Sequence, residues 1–188
     1  MAVWKQGTAY TIDEACSYIM SHYGDALSNG AHLVITGGEP LIHDSVIVKL
    51  LEELSYPSLY VEIETNGTIQ PSLSLSHHVS QWNVSPKLSN SGETFEDRII
   101  TNCLDWFSQQ QHSYFKFVVS NESDINEIQD TFSQIMALPI QRRYLMPASD
   151  TKASLHSLLP QCVEWAKQYG FCISHRYQLS IWDQKTGV

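Results

Sequence analysis

The chain has 188 residues, the usual length of one domain, and 43% of its residues are apolar. Twenty acidic residues against eleven basic ones give a formal net charge of -9, which disfavours nucleic acid as the main partner. No apolar run reaches the roughly 18 residues of a membrane span, and the first residues lack the pattern of a secretory signal. We therefore expect one cytoplasmic domain, residues 1–188, that binds a small molecule.

Helical and strand patterns alternate along the chain, beginning with a capped helix. Thr11 and Glu14 have the spacing of a capping box, and apolar residues recur at intervals of three and four from Ile12 to Leu27. Asn29-Gly30 predicts the end of this helix. Residues 32–36 predict a short apolar strand that leads into a glycine-rich turn.

The same alternation continues to the end of the chain. A helix is predicted over residues 44–55, with Val46, Leu50, Leu51 and Leu54 on its buried face. Further strands are predicted at 59–64, 81–85, 114–119, 143–146 and 171–174, and further helices near 99–107, 125–135 and 155–169. This order implies parallel strands joined by right-handed crossovers, in an open doubly wound sheet or in a complete or incomplete barrel. In either architecture, ligands bind at the carboxyl ends of the strands.

Several of these strands carry polar residues on one face. Glu62 and Glu64 alternate with apolar residues on one strand, Asn83 and Ser85 do so on the next, and Lys116 does so on a third. Carboxylates are costly in an apolar core, so such faces suit a wet, ligand-filled cavity. The pattern favours a barrel lumen, and its alternative is a set of edge strands with one solvated face.

The sequence Thr36-Gly37-Gly38-Glu39-Pro40 follows the first predicted strand. The two glycines allow a positive φ and a close approach of the backbone to a ligand. A carboxylate beside strand-end carbonyls suits a cationic group, such as the ammonium of an amino acid. We expect this turn to bind a small molecule.

This turn resembles the one by which radical S-adenosylmethionine (SAM) enzymes hold the methionyl end of SAM. The segments 64–68, 85–92 and 116–118, with Trp182 and a terminal Gly187-Val188, are similar in sequence and order to those of 7-carboxy-7-deazaguanine synthases. The resemblance covers nearly the whole chain. It implies an α/β fold, namely an incomplete parallel (β/α) barrel of radical SAM type without its first strand and cluster loop.

The resemblance also implies roles for particular residues. Those expected to bind SAM are Gly37, Gly38, Glu39, Ser85, Pro86, Lys87, Met146, Pro147, Ala148 and Ser149. Those expected to bind the substrate are Thr36, Glu64, Asn66 and Val188. The 146–149 segment departs from the commoner form of the family.

The iron-binding motif of radical SAM enzymes is absent from this sequence. Such enzymes hold a [4Fe-4S] cluster with three cysteines, spaced C-x-x-x-C-x-x-C in this family. The cysteines here are Cys16, Cys103, Cys162 and Cys172, which are too far apart in the chain for this motif. We interpret them as buried apolar residues, and we expect no metal ligand in this chain. Two explanations stay open: an N-terminally truncated form, or a natural protein that has lost its cluster.

The function implied is conversion of 6-carboxy-5,6,7,8-tetrahydropterin to 7-carboxy-7-deazaguanine. This radical ring contraction loses ammonia and serves 7-deazapurine pathways such as queuosine synthesis. The complete enzyme would be a lyase that uses SAM, a [4Fe-4S] cluster, Mg²⁺ and an external electron donor, in a possible homodimer. We expect this chain alone to be inactive. The alternatives are another radical SAM subfamily, such as an activase, and a non-catalytic protein that binds SAM or a pterin.

Overall fold

The structure is a computed structural model that describes residues 7–55 and 58–185, except for the Met136 side chain. The described residues form strands and helices that alternate along the chain. The strands are β1 (His32–Ile35), β2 (Tyr60–Thr65), β3 (Gln81–Val84), β4 (Ser113–Val119), β5 (Arg143–Pro147) and β6 (Cys172–Ile173). The helices are α1 (Ile12–Ser28), α2 (Asp44–Leu54), α3 (Leu73–His78), α4 (Phe95–Arg98), α5 (Thr101–Gln109), α6 (Glu122–Thr131), α7 (Ser133–Met136), α8 (Lys152–Tyr169) and α9 (Tyr177–Trp182).

These elements belong to two compact units. The first comprises the chain up to Ile63 together with Pro71–Ser80, and the second comprises Glu64–Gln70 and the chain from Gln81 onward. No helix within 7–55 and 58–185 is long and apolar enough to cross a membrane.

The first unit is built on a capped helix and a parallel strand pair. Thr11 caps α1 through the Glu14 backbone N–H, and the Glu14 carboxylate accepts from the Thr11 N–H at 2.7 Å, so the predicted capping box is present. Strand β1 pairs with β2 in parallel, with His32 opposite Tyr60.

The buried face of α2 differs from the prediction. Ile47, Leu51 and Leu54 are buried, whereas Val46 is 50% exposed. The buried residues are spaced i, i+4 and i+7, so they form one stripe, and Val46 lies beside it. The prediction for Val46 was therefore wrong, because an apolar residue next to the stripe fits the same spacing almost as well.

The second unit contains a run of parallel strands in chain order. Strand β3 pairs with β4, β4 with β5, and β5 with β6, all in parallel. The end of β2 also belongs to this unit, where the Thr65 carbonyl accepts from the Ser85 N–H at 2.7 Å. Parallel strands joined through helices are the arrangement that the sequence alternation predicts.

Strand β4 organises the core of the second unit. Its residues alternate strictly, with Phe115, Phe117 and Val119 fully buried and the intervening residues partly exposed. Phe117 contacts Phe132 edge-on at 5.0 Å between ring centroids. One face of β4 is therefore anchored in the core, which leaves Tyr114 and Lys116 on the opposite face.

Candidate functional site

The glycine-rich turn of residues 36–40 follows β1 in the first unit. Glu39 caps the short 3₁₀-helix Pro40–His43, because its carboxylate accepts from the Leu41 N–H at 3.1 Å. Pro40 and Leu41 are buried and anchor the turn, whereas Thr36, Gly37 and Gly38 are exposed. The carboxylate predicted to face an ammonium group thus also holds the turn in shape.

The two glycines of this turn leave open space beside the backbone. A Cβ atom on Gly37 or Gly38 would meet nothing within 4 Å, and neither residue has a positive φ. The positive φ that glycine allows is therefore not used at either position. Their structural effect is access, since a ligand can approach the backbone without meeting a side chain.

The second unit contains a polar cavity of about 400 Å³. It is lined by Glu64, Gln81, Asn83, Tyr114, Lys116, Tyr144 and Ser174. Lys116 Nζ lies 3.7 Å from Glu64 Oε1, and the Gln81 amide donates to Asn83 Oδ1 at 2.8 Å. Of the polar residues predicted on the alternating strands, Glu64, Asn83 and Lys116 line this cavity, whereas Glu62 and Ser85 are not among its lining residues. Its paired charges and amides can bind a polar heterocycle that has both donors and acceptors.

A tight turn places Glu64 at the end of β2. Thr65 Oγ1 accepts from the Gly67 N–H at 3.1 Å, and Asn66 Oδ1 accepts from the Thr68 N–H at 2.9 Å. Thr68 Oγ1 also donates to Asn66 Oδ1 at 2.7 Å. Asn66, predicted to bind substrate, therefore uses its amide oxygen to form this turn. Gly67 has φ +82°, the left-handed conformation that glycine adopts without strain.

A separate cavity of about 360 Å³ lies in the second unit beyond the end of β3. Pro86, Lys87 and Ala148, all predicted to bind SAM, line it together with Asn90, Val118 and Ser120. Hydrogen bonds to carbonyls of β4 position its walls. Ser85 Oγ donates to the Lys116 carbonyl at 3.0 Å, and the Ala148 N–H donates to the Val119 carbonyl at 2.8 Å.

The end of β5 carries the remaining predicted SAM residues. Met146 and Pro147 pair with Val118 and Val119 of β4. Ser149 Oγ donates to the Pro147 carbonyl at 3.2 Å, and the Arg176 guanidinium donates to the Ser149 carbonyl. Arg176 was not predicted, because nothing in the local sequence indicates which carbonyl it reaches.

The predicted site residues thus fall into several groups. Thr36, Gly37, Gly38 and Glu39 lie in the first unit, and the other described ones lie in the second. Glu64 lines the larger cavity, whereas Pro86, Lys87 and Ala148 line the smaller one. Val188 lies outside the described residues. The alternation rule, applied to every strand, would also have found Gln81, Tyr114 and Tyr144.

The cysteines do not fit a [4Fe-4S] cluster. Cys16 and Cys162 are buried in α1 and α8, while Cys103 donates to the Thr68 carbonyl at 3.4 Å and Cys172 donates to that of Ile140 at 3.5 Å. All are free thiols, and no group of three or more His, Cys, Asp or Glu side chains suited to a metal occurs in the described part of the chain. A cluster needs three converging thiolates, which these residues do not supply.

We expect Cys162 to resist alkylation in the folded protein. Burial raises the pKa of its thiol from 9.0 to about 12, which leaves almost no thiolate at neutral pH. Because the pKa is raised in the fold, the thiol favours folding fully below about pH 9, and this contribution is lost as the pH rises toward 12. Iodoacetamide labelling followed by mass spectrometry should modify the partly exposed Cys172 first. Equal labelling rates at the two cysteines in the native state would contradict this expectation.

Comparison with known proteins places the chain in one family. A 7-carboxy-7-deazaguanine synthase of Pyrobaculum aerophilum is 33% identical over 165 residues, which cover 86% of this chain and 70% of the relative. Synthases of the same name from Halobacterium salinarum and Rhodopirellula baltica are each 28% identical and cover 92% and 100% of this chain, which spans 71% and 73% of their lengths. No protein-family model matches the chain.

The fold agrees with this assignment. The crystal structure of QueE from Escherichia coli is similar with a TM-score of 0.57 at 22% identity, covering 89% of this chain and 64% of that protein. At this identity the similarity supports the fold alone, and it confirms the predicted α/β fold of incomplete parallel barrel type. The sequence relatives confirm the resemblance on which the family prediction rests. The chain belongs to the 7-carboxy-7-deazaguanine synthase family.

Proposed function

We propose that this chain carries the SAM and substrate sites of a 7-carboxy-7-deazaguanine synthase. The main observation that supports this proposal is the 33% identity with the Pyrobaculum aerophilum synthase over 86% of the chain. The reaction proposed is the conversion of 6-carboxy-5,6,7,8-tetrahydropterin to 7-carboxy-7-deazaguanine with loss of ammonia, in 7-deazapurine or queuosine biosynthesis. SAM supplies the radical chemistry when it is bound at a cluster.

The polar cavity supports a site for the pterin. Its Glu64 carboxylate can accept hydrogen bonds from the amino and ring N–H groups of a guanine-like heterocycle, and Lys116 can donate to its carbonyl or carboxylate. The two groups lie 3.7 Å apart and are 44% and 25% exposed, so their charges are partly desolvated before a ligand arrives. Asn66, Thr36 and Val188 complete the proposed set of substrate residues.

The SAM site that we propose uses strand ends and their turns. We assign Glu39 to contact the ammonium group of SAM, and the exposed backbone of Gly37 and Gly38 to contact the methionyl part of SAM next to that ammonium. Further SAM contacts are assigned to Ser85, Pro86, Lys87, Met146, Pro147, Ala148 and Ser149. The cavity shared by Pro86, Lys87 and Ala148 supports this assignment.

The family resemblance alone carries the remaining parts of the proposal. They are the lyase class, the [4Fe-4S] cluster and Mg²⁺ of the complete enzyme, its external electron donor, a homodimer and a cytoplasmic location. They also include the single radical SAM-like domain over residues 1–188.

Binding of the product tests the pterin site. We expect 7-carboxy-7-deazaguanine to bind the chain in a calorimetric or NMR titration, and Glu64→Gln to weaken that binding about tenfold or more. A hydrogen bond to a charged group contributes about 1.5–3 kcal/mol, which corresponds to at least that factor.

The matched control is Glu62→Gln on the same strand. Glu62 Oε1 lies 2.5 Å from His32 Nδ1 in the first unit, and Glu62 does not line the polar cavity. We expect Glu62→Gln to bind product as the wild-type chain does. Equal losses in both variants, or product binding untouched by Glu64→Gln, would refute the assignment of Glu64.

A non-catalytic binding protein is the second candidate function. The sequence relatives, which are named as synthases, do not favour it, and the observation on its side is that the cysteines do not fit a cluster. Titration with SAM in the absence of iron distinguishes the two candidates. A synthase lacking its cluster should bind SAM weakly, because the iron that chelates the methionyl group is missing, whereas a dedicated binding protein should bind it tightly.

A further inference from the structure

Two helices hold the turn that follows β3. The Lys87 carbonyl accepts from Arg98 of α4 at 3.1 Å, and the Glu127 carboxylate of α6 accepts from the Ser89 N–H and hydroxyl at 2.9 and 2.7 Å. Leu88, which lies between these two anchored residues, is only 1% exposed. The backbone of residues 87–91, here named the 87–91 turn, is therefore fixed by side chains from outside it.

Arg98 and Glu127 also bind each other. Their closest N–O distance is 2.6 Å, with side chains only 6% and 15% exposed. Arg98 Nε has no hydrogen-bond partner among the described residues, so the guanidinium is buried without full satisfaction. Desolvating two charges cancels much of their attraction, and an apolar pair of similar volume is often as stable. Stability alone is thus a weak reason for this pair.

A second anchor from α6 reaches the same turn. The Asn90 amide donates to Asp124 Oδ2 at 2.9 Å and to the Val118 carbonyl at 3.0 Å. Asp124 is 1% exposed and also accepts from the Ser120 N–H at 2.6 Å. One helix therefore determines the position of the turn at Ser89 and at Asn90.

The 87–91 turn forms one wall of the 360 Å³ cavity. Four residues of the turn lie on this wall, namely Lys87, Leu88, Asn90 and Ser91, and the rest of the lining is Pro86, Val118, Ser120 and Ala148. A shift of the turn would change the shape of the cavity directly. Arg98 and Glu127 are absent from the lining, so neither side chain forms a wall of the cavity, and both contact the turn that does.

We propose that Arg98 and Glu127 are positioning residues for SAM binding, which hold the 87–91 turn in the conformation that the ligand requires. This inference rests on the proposed function, since it takes SAM as the ligand of the cavity. Because the pair holds the turn in one conformation, the entropy cost of ordering the turn is incurred when the protein folds and not when SAM binds.

The test is an NMR titration of the full chain with SAM, combined with hydrogen exchange and thermal unfolding. Arg98→Met/Glu127→Leu removes both charges together and avoids a single unpaired charge. We expect it to raise the SAM dissociation constant about fivefold or more and to speed exchange of the Ser89 amide, with the unfolding midpoint close to wild type.

The matched control is Arg142→Met. Arg142 is another partly buried arginine of the second unit, and it donates to the Ser113 and Ser108 carbonyls at 2.8 and 3.2 Å. We expect this variant to lower the unfolding midpoint yet to keep SAM affinity within about twofold. A role in stability alone predicts that affinity follows the midpoint in both variants.

The outcomes separate the two proposals. Wild-type SAM affinity in the double variant, while the wild-type chain binds SAM at the turn, would overturn the positioning role only. Absence of any SAM-induced shift in the wild-type chain would overturn the proposed SAM site and this inference with it. A selective loss of affinity in the double variant supports both.

Discussion

We expect this chain to hold no stoichiometric [4Fe-4S] cluster after anaerobic reconstitution with iron and sulfide, and to cleave no SAM. The physical reason is the placement of its thiols. Cys16 and Cys162 are buried on different helices, and Cys103 and Cys172 donate to backbone carbonyls elsewhere. Three thiolates must converge on one cluster, and refolding the protein around it would expose its core.

Visible absorbance, iron content and chromatography of SAM products measure this expectation. A radical SAM enzyme with an intact C-x-x-x-C-x-x-C motif, treated in parallel, controls for the reconstitution itself. Alanine variants of the four cysteines should leave the background iron content unchanged. A stoichiometric cluster with SAM turnover in the chain would refute the expectation, and the loss of that cluster in one cysteine variant would show which thiol binds iron.

We expect Gly67→Ala to be the most destabilising glycine substitution in the polar-cavity region. Gly67 has φ +82°, and a Cβ there would lie 2.9 Å from both Leu104 Cδ2 and Val84 Cγ1. The left-handed conformation costs a side chain about 1–2 kcal/mol, and overpacking adds about 1–3 kcal/mol. Thermal unfolding should therefore show a midpoint lowered by about 5–15 °C. The turn that carries Glu64 and Asn66 would shift as well, so product affinity should fall.

Gly92→Ala separates the two causes. Gly92 has φ +81°, almost the same as Gly67, but a Cβ there would meet nothing within 4 Å. The Gly92→Ala variant should therefore lose only about 1–2 kcal/mol of unfolding free energy, the cost of placing a side chain in the left-handed conformation. The difference between the two variants then measures the cost of the contacts with Leu104 and Val84. Equal midpoints would show that crowding at Gly67 is relieved by movement of these side chains.

Local patterns predicted the elements well wherever they were long or capped. The Thr11–Glu14 capping box and the end of α1 at Asn29-Gly30 both occur in the structure. The strict alternation of β4 also gave its buried face, because each residue of a strand points opposite to the next. These features depend only on residues close together in the chain.

Short elements and the end of one helix were predicted less well. Helices α3, α4 and α9 have six, four and six residues and were not predicted, since so few turns give no clear periodicity. The apolar pattern through Ile125 and Ile135 predicted one helix, but in the structure the helix is interrupted at Phe132, which lies between α6 and α7. Phe132 is 3% exposed and its ring contacts Phe117. The helix is therefore interrupted at a residue that packs in the core.

The sequence by itself determined the family, the parallel α/β architecture and the polar strand faces that carry Glu64, Asn83 and Lys116. Periodicity and short motifs encode such features, because they depend on neighbours within a few residues. Only the tertiary structure decided which polar groups share a cavity, and that Asn66 forms a turn. It alone paired Arg98 with Glu127 across the 87–91 turn. Such contacts join residues far apart in the chain, and their partners are set by how helices pack on the sheet.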